Sequence, residues 1–185
     1  MITHIRPWEI FRHLGKKSHD IHLTIPAHRG TESLTIMSIE TILLVAMARI
    51  VEAKSILEVG TSLGYTALHL AMNTDAEIHT IDRDKKTHAF KGTFWESWIN
   101  FINDDVSLVS PFPCDMVFCD CNYSPELTLK CTELAFACSP KVVAWHDYGN
   151  PEAPHQKETL GALAETMDIY HIEDTWVCCW LRGGL

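Results

Sequence analysis

Short apolar runs alternate with amphipathic segments along most of this chain. Five runs have the length and the bounding polar residues of buried strands: 55–59, 76–82, 98–104, 114–120 and 141–145. Apolar residues recur at helical spacing in four further segments: 38–52, 65–72, 124–139 and 154–167. A last pair of runs, 168–172 and 176–181, is typical of a hairpin. The alternation predicts an α/β fold with a Rossmann-like, doubly wound, mostly parallel seven-stranded sheet that has one antiparallel strand near the C-terminus.

Residues 1–33 show no such period, and proline and glycine interrupt them repeatedly. We interpret them as an N-terminal arm with a short helix near residues 7–14. Residues 34–185 then form one domain, long enough for a complete α/β core. The arm carries three histidines that are either candidates for substrate contact or simply solvated: His19, His22 and His28.

The most informative stretch joins the first strand to the helix that follows it. The strand carries Glu58 near its end, Gly60 and Gly64 bracket a loop, and helical periodicity resumes at Tyr65. Such a loop lets a ligand pass close to the backbone and presents the unpaired N–H groups of a helix start to it. The spacing differs from the G-x-G-x-x-G of dinucleotide-binding loops, and the Gly-Lys-Ser/Thr of a P-loop is missing. We therefore expect a site for a polar or anionic edge of a different cofactor.

Asp82 ends the second strand about 20 residues beyond this loop, the spacing at which an acid can accept both hydroxyls of a nucleoside ribose. The alternative is that Asp82 caps the next helix. The two roles are compatible with each other.

Polar residues also follow two later strands: Asp120 follows the fourth, and His146 and Asp147 follow the fifth. Because the carboxyl ends of parallel strands share one edge of a sheet, we expect these side chains to lie close together. Carboxylates combined with an imidazole suit Mn²⁺, Fe²⁺ or Zn²⁺ better than Mg²⁺. The alternative is that His146 and Asp147 only cap the end of their strand.

Charge and cysteine usage narrow the class of protein. A formal net charge of −9 argues against tight binding to a nucleic-acid backbone. The seven cysteines include no C-x-x-C pair, which favours reduced thiols in a cytoplasmic protein and gives the Cys119-Asp120-Cys121 sequence little support as a zinc site. The longest apolar stretch, 42–51, is too short to span a bilayer.

Two of these patterns resemble known families. Glu58-x-Gly60-x-x-x-Gly64 resembles the first motif of class I S-adenosylmethionine (SAM)-dependent methyltransferases, E/D-x-G-x-x-x-G. The residues after the fourth and fifth strands resemble a narrower group, the small-molecule O-methyltransferases related to macrocin O-methyltransferase. Asn122 stands where that group usually has a histidine, a departure that leaves His146 as the better base. The resemblance extends over residues 34–181.

The resemblance implies transfer of a methyl group from SAM to a small hydroxylated acceptor, assisted by a divalent cation such as Mg²⁺ or Mn²⁺. It assigns catalytic and metal-binding roles to Asp120, His146 and Asp147. The cofactor-binding residues that it implies are Glu58, Gly60, Thr61, Ser62, Gly64, Tyr65, Asp82, Arg83, Asn103, Asp104 and Asp120. The apolar stripe of the helix over 38–52 predicts either a core helix or the seam of a homodimer.

Two other functions remain open at this point. One is methylation of an amino group or of a nucleic acid, but the amino-methylating DNA enzymes carry prolines in the loop after the fourth strand, and residues 120–123 have none. The other is a catalytically silent module that binds SAM for an interaction or regulatory purpose. Metal dependence separates the second from an enzyme, because a silent module binds SAM equally well in the presence of a chelator.

Overall fold

The computed structural model describes residues 1–15, 19–24, 36–84, 86, 88–121 and 124–184. These form one eight-stranded sheet flanked by five α-helices. The strands are β1 (Thr3–Ile5), β2 (Ser55–Val59), β3 (Glu77–Ile81), β4 (Ile99–Ile102), β5 (Met116–Cys119), β6 (Val142–Trp145), β7 (Tyr170–Ile172) and β8 (Cys178–Leu181). The helices are α1 (Pro7–Phe11), α2 (Ser38–Ile50), α3 (Tyr65–Asn73), α4 (Pro125–Ala137) and α5 (His155–Leu163).

The order of the strands is β1-β7-β8-β6-β5-β2-β3-β4, and only β8 runs antiparallel to its neighbours. The central strands β5 and β6 are buried along their whole length, which explains why their sequences are continuous apolar runs and not alternating ones. The chain leaves β2 toward β3 on one side and later returns to β5 on the other side. The carboxyl ends of β2 and β5 therefore form a topological switch point, the position where open α/β sheets bind ligands.

The helices cover both faces of the sheet, as predicted for a doubly wound fold. One core cluster includes apolar residues of α1, α2 and α3, and a second cluster includes those of α4 and α5. The segment 43–48 of α2 is almost fully buried, so the stripe predicted as core or dimer seam is core in this structure. Among the described residues, none of the helices combines the length and the apolarity needed to cross a bilayer.

One sequence expectation, the number of strands, needs correction. The sheet has eight strands and not seven, because Thr3–Ile5 pairs in parallel with β7. Only Ile5 of this three-residue strand is buried, so the segment carries no recognisable strand pattern. The expectation of reduced thiols stays a prediction: the sulfur atoms of Cys121 and Cys131 face each other, but their Cα atoms are 7.6 Å apart, farther than a disulfide spans, and the other five cysteines are free and buried.

Candidate functional site

A cleft opens at the switch point, where the segments that follow β2, β3, β4 and β5 meet. Its polar lining comes from residues that end or follow these strands: Gly60, Ser62, Asp82, Arg83, Asp84, Asp104, Asp105 and Asp120. Apolar side chains, among them Val106 and Leu127, complete the walls. The structure thus brings together residues that the sequence analysis placed at separate strand ends.

At Gly60, the loop after β2 packs closely against the backbone of Asp120, and both residues line the cleft. Gly60 has a φ of +104°, and a Cβ at this position would lie 2.2 Å from the carbonyl oxygen of Asp120. Its own N–H donates to the carbonyl of Ile81 at 2.9 Å. A glycine is needed here because both the backbone conformation and the space exclude a side chain.

Asp82 is held in the cleft by two backbone amides. The N–H of Ser62 donates to its Oδ2 and the N–H of Asp84 donates to its Oδ1, each at 2.8 Å. A carboxylate has about four lone-pair sites, so both oxygens retain capacity to accept from a ligand hydroxyl. The Asp84 contact is a local turn, and no helix begins at the described residues that directly follow Asp82, so the alternative of a helix cap is wrong.

Glu58 lies beneath the loop and does not line the cleft. Its carboxylate is buried and accepts a hydrogen bond from the hydroxyl of Thr80, which is itself 2.6 Å from the hydroxyl of Thr61. Burial raises the pKa of Glu58 to about 8, so the group is neutral near pH 7. Any effect of Glu58 on a cofactor therefore passes through the loop above it.

Four other residues of the predicted cofactor set also lie outside the cleft lining. Thr61 is buried against Thr80. Gly64, with φ +76°, precedes α3 and packs against the ring of Phe90, and Tyr65 begins that helix. Asn103 donates from its amide to the carbonyls of Asp82 and Arg83 at 2.9 and 3.0 Å, which fixes the turn after β3. These residues shape the cleft from behind.

The cleft is strongly acidic. Five aspartates and one arginine line it. The hydroxyl and N–H of Ser107 hold the carboxylate of Asp105 and lower its pKa. Such a surface favours a ligand that carries positive charge as well as hydroxyl donors. The ammonium, sulfonium and ribose hydroxyls of SAM fit this donor and charge pattern.

The second part of the site lies at the ends of β5 and β6. His146 Nδ1 is 3.0 Å from Asp120 Oδ1 and 3.4 Å from Asp147 Oδ1. Asp147 adopts a left-handed backbone conformation, with φ +65°, and accepts from the amide of Asn150 at 2.6 Å. The predicted trio of Asp120, His146 and Asp147 is therefore assembled as the strand order implied.

Glu40 completes this network, and the sequence analysis did not identify it. It lies in the first turn of α2, is fully buried, and its Oε2 is 3.0 Å from His146 Nε2. The same carboxylate accepts from the backbone N–H groups of Met37 and Trp176 at 3.1 and 2.7 Å. One signal was available: a single acid in an otherwise apolar helix stripe.

The protonation of His146 follows from its partners. Burial by itself lowers the pKa of His146, but the carboxylates of Asp120 and Glu40 outweigh it and raise that pKa well above the usual value. Burial raises the pKa of Asp120, against the opposing influence of His146. The carboxylates on both sides of the ring therefore favour the protonated form of His146.

The donor set of the trio fits a divalent cation. Asp120, His146 and Asp147 each offer one ligand atom, and these atoms lie within 4.8 Å of one another. Two carboxylate oxygens and one imidazole nitrogen suit Mn²⁺ better than Mg²⁺, which prefers oxygen ligands. A cation here would take the place of the Nδ1 proton, leaving Nε2–H to donate to Glu40.

A second cleft, of about 360 Å³, lies beside this network. Two of its wall residues, Met37 and Trp176, bond to Glu40 through their backbone amides. The N–H of Tyr148, another wall residue, donates to the carbonyl of Trp176 at 2.9 Å. Basic groups contribute as well: His4, His171 and Lys157.

Two of the arm histidines proposed for substrate contact, His19 and His22, do not line either cleft. His22 exchanges hydrogen bonds with Asn73 at the carboxyl end of α3, and His19 bonds to the carbonyl of Leu14. His28 lies outside the described residues. The same holds for Asn122 and Tyr123, so the departure at 122 stays a sequence observation.

Comparison with known proteins supports this reading of the fold. A model of an O-methyltransferase family matches residues 21–107. A search of curated protein sequences finds no match.

Among solved structures, the O-methyltransferase TomG from Streptomyces achromogenes, in complex with SAM, is 22% identical with a TM-score of 0.60, over 82% of this chain and 83% of that one. A methyltransferase of Podospora anserina with bound SAH is 18% identical with a TM-score of 0.66, over 82% and 81% of the two chains. An O-methyltransferase from Bacillus cereus, in complex with SAH, is 15% identical with a TM-score of 0.59, over 85% and 84%. These similarities show a shared fold.

Proposed function

We propose that this chain is a class I SAM-dependent methyltransferase and that it transfers a methyl group from SAM to a hydroxyl of a small acceptor at the edge formed by β2, β5 and β6. The observation that carries the proposal is the acidic cleft at the switch point, with Asp82 held by two amides and facing it. The closer likeness to the macrocin-related enzymes stays a prediction.

Within this cleft, we assign the ribose hydroxyls of SAM to Asp82. We assign the backbone of Gly60 and Ser62 to the surface against which the cofactor lies, and Asp104 to the adenine amine, because all three line the cleft. Glu58, Thr61, Gly64, Tyr65 and Asn103 support these residues from behind.

Asp120, His146 and Asp147 are the proposed metal ligands and catalytic residues. A divalent cation bound there would lower the pKa of a coordinated acceptor hydroxyl. The carboxylates of Asp120 and Asp147 would hold this cation, and with it the acceptor hydroxyl, beside the cofactor cleft. Asn150 donates to Asp147 Oδ1 at 2.6 Å, a contact that holds this carboxylate beside His146.

The second cleft is the proposed acceptor site. Its volume of about 360 Å³ suits a small molecule, and Trp176 and Tyr148 offer aromatic walls close to Asp147. Methyl transfer is an in-line displacement, so the chief task of these walls is to align the acceptor hydroxyl and exclude water.

Nucleic acid is disfavoured as an acceptor by the net charge of −9. A cytoplasmic location and a homodimer stay predictions, the second to be tested by light scattering.

The test is calorimetric titration with SAM and S-adenosylhomocysteine, with and without Mn²⁺, on wild type, Asp82→Ala and Asp82→Asn. Loss of two hydrogen bonds to a carboxylate should weaken nucleoside binding about 100-fold. Asp75→Ala removes an exposed acid at the amino end of β3, whereas the cleft lies at the carboxyl ends of the strands. This control variant should bind both nucleosides with wild-type affinity. If neither nucleoside binds to wild type, the proposal fails.

A further inference from the structure

Glu40 is the least expected group near the site. It is a carboxylate with no exposed surface on a helix whose neighbouring residues, from Leu43 to Ala48, are almost entirely buried and apolar. Burying a carboxylate is costly unless each oxygen finds donors. Here both do: Oε1 accepts from Trp176, and Oε2 accepts from Met37 and from His146.

The direction of the His146 contact matters most. Oε2 of Glu40 also accepts from the N–H of Met37, and we assign Nε2 of His146 as the donor in its contact with this oxygen. Nδ1 is then the nitrogen that faces Asp120 and Asp147. A metal-binding histidine commonly has this arrangement, in which its second ring nitrogen donates to a carboxylate that fixes the ring and the tautomer.

We propose that Glu40 is a positioning residue that presents His146 Nδ1 to the Asp120–Asp147 cation site and ties that site to the wall of the acceptor cleft. The inference rests on the proposed function. Glu40 acts only through other residues, since it touches neither cleft itself: His146 lies between it and the cation site, and Met37 and Trp176 lie between it and the acceptor cleft.

The Glu40→Gln variant separates this role from simple packing. The amide has nearly the same shape, but it carries one acceptor oxygen and one NH₂ group. Whichever way the amide turns, its NH₂ group meets a donor: the N–H of Trp176 in one orientation, or the N–H of Met37 and Nε2 of His146 in the other. At least one of the three hydrogen bonds is lost together with the carboxylate, so His146 is held less firmly toward the cation site and is a weaker ligand.

The first measurement is Mn²⁺ affinity, read from the electron paramagnetic resonance signal of free Mn²⁺. We expect Glu40→Gln to weaken Mn²⁺ binding 10- to 100-fold, the usual effect of losing such a supporting carboxylate. The affinity for S-adenosylhomocysteine, measured by calorimetry, should stay within twofold because Glu40 is absent from the cofactor cleft. Retention of nucleoside binding also shows that the variant is folded.

Thr132→Val is the matched control. It removes a buried hydrogen bond that Thr132 accepts from the indole N–H of Trp145, the residue before His146, at 2.9 Å, and it leaves every contact of the trio in place. It should lower stability and leave Mn²⁺ affinity unchanged. A similar loss of Mn²⁺ affinity in both variants would show that Glu40 has only a structural role.

A double-variant cycle completes the test. In a His146→Ala background, Glu40→Gln should cause no further loss of Mn²⁺ affinity, because its effect passes through His146. Wild-type affinity in Glu40→Gln, or additive losses in the double variant, overturns the positioning role while the methyltransferase proposal stands. Nucleoside binding without any Mn²⁺ binding by wild type overturns the cation site and, with it, the role of Glu40.

Discussion

Single residues in this protein take their chemistry from burial as much as from type. Glu58 and Asp82 are both acids near the ends of adjacent strands, yet one is buried and neutral near pH 7 and the other faces a cleft. Asp82 was predicted as a cleft residue from spacing, and the structure places it there. The orientation of Glu58 could not be read from spacing, because it depends on the Thr80 hydroxyl of the neighbouring strand.

The raised pKa of Glu58 predicts a pH-dependent cost to stability. Between its usual pKa of 4.5 and the folded value of about 8, the folded state binds more protons than the unfolded state, so stability falls as pH rises. We expect wild type to lose about 1.4 kcal/mol per pH unit relative to Glu58→Gln in this window. Urea unfolding of both proteins at pH 5, 6, 7 and 8 measures the difference. A difference that does not change with pH would show that Glu58 ionises normally in the folded protein.

At the scale of elements, the site depends on how closely the strand ends approach each other. The loop after β2 and the carbonyl of Asp120 after β5 leave no room for a side chain at Gly60. The sequence pattern predicted a ligand loop at this position, and Gly60 and Ser62 of the loop line the cleft. The pattern did not show that the partner of Gly60 is the backbone of another strand, a contact made across 60 residues of chain.

Gly60→Ala should therefore disturb both strand ends. An alanine at position 60 would have to adopt a positive φ, and its Cβ would clash with the carbonyl oxygen of Asp120. We therefore expect a loss of about 1 to 3 kcal/mol in unfolding free energy and weaker binding of S-adenosylhomocysteine. Gly161→Ala is the matched control, because its Cβ meets nothing within 4 Å in helix α5 and should stabilise the protein by about 0.5 to 1 kcal/mol. Urea unfolding and calorimetry of both variants provide the comparison. Equal behaviour of the two would contradict the close approach seen at Gly60.

For the molecule as a whole, the first residues belong to the core. Ile5 and Ile10 are almost fully buried, β1 pairs with β7, and α1 packs on α2. The division into an arm over 1–33 and a domain over 34–185 stays a prediction. The structure nevertheless indicates that the domain needs part of the arm.

A chain that begins at residue 34 should accordingly be less stable. Removing two buried isoleucines costs roughly 3 to 6 kcal/mol in burial alone, and an edge strand of the sheet is lost as well. Calorimetric melting of the shortened and full chains measures the effect. In the full chain, Ile10→Ala should lower the melting temperature, whereas Trp8→Ala, at a half-exposed position, should not. An unchanged melting temperature on truncation would support the independent arm.

The sequence by itself determined the fold class, the switch-point loop and the strand-end residues Asp82, Asp120, His146 and Asp147. It could do so because parallel strands place their carboxyl ends at one edge, so a local pattern of apolar run followed by polar residue carries global information. Only the tertiary structure decided the contact between Glu40 and His146, which are 106 residues apart, and the pairing of β1 with β7. These depend on how a helix and an edge strand pack against the finished sheet, and no local periodicity encodes that packing.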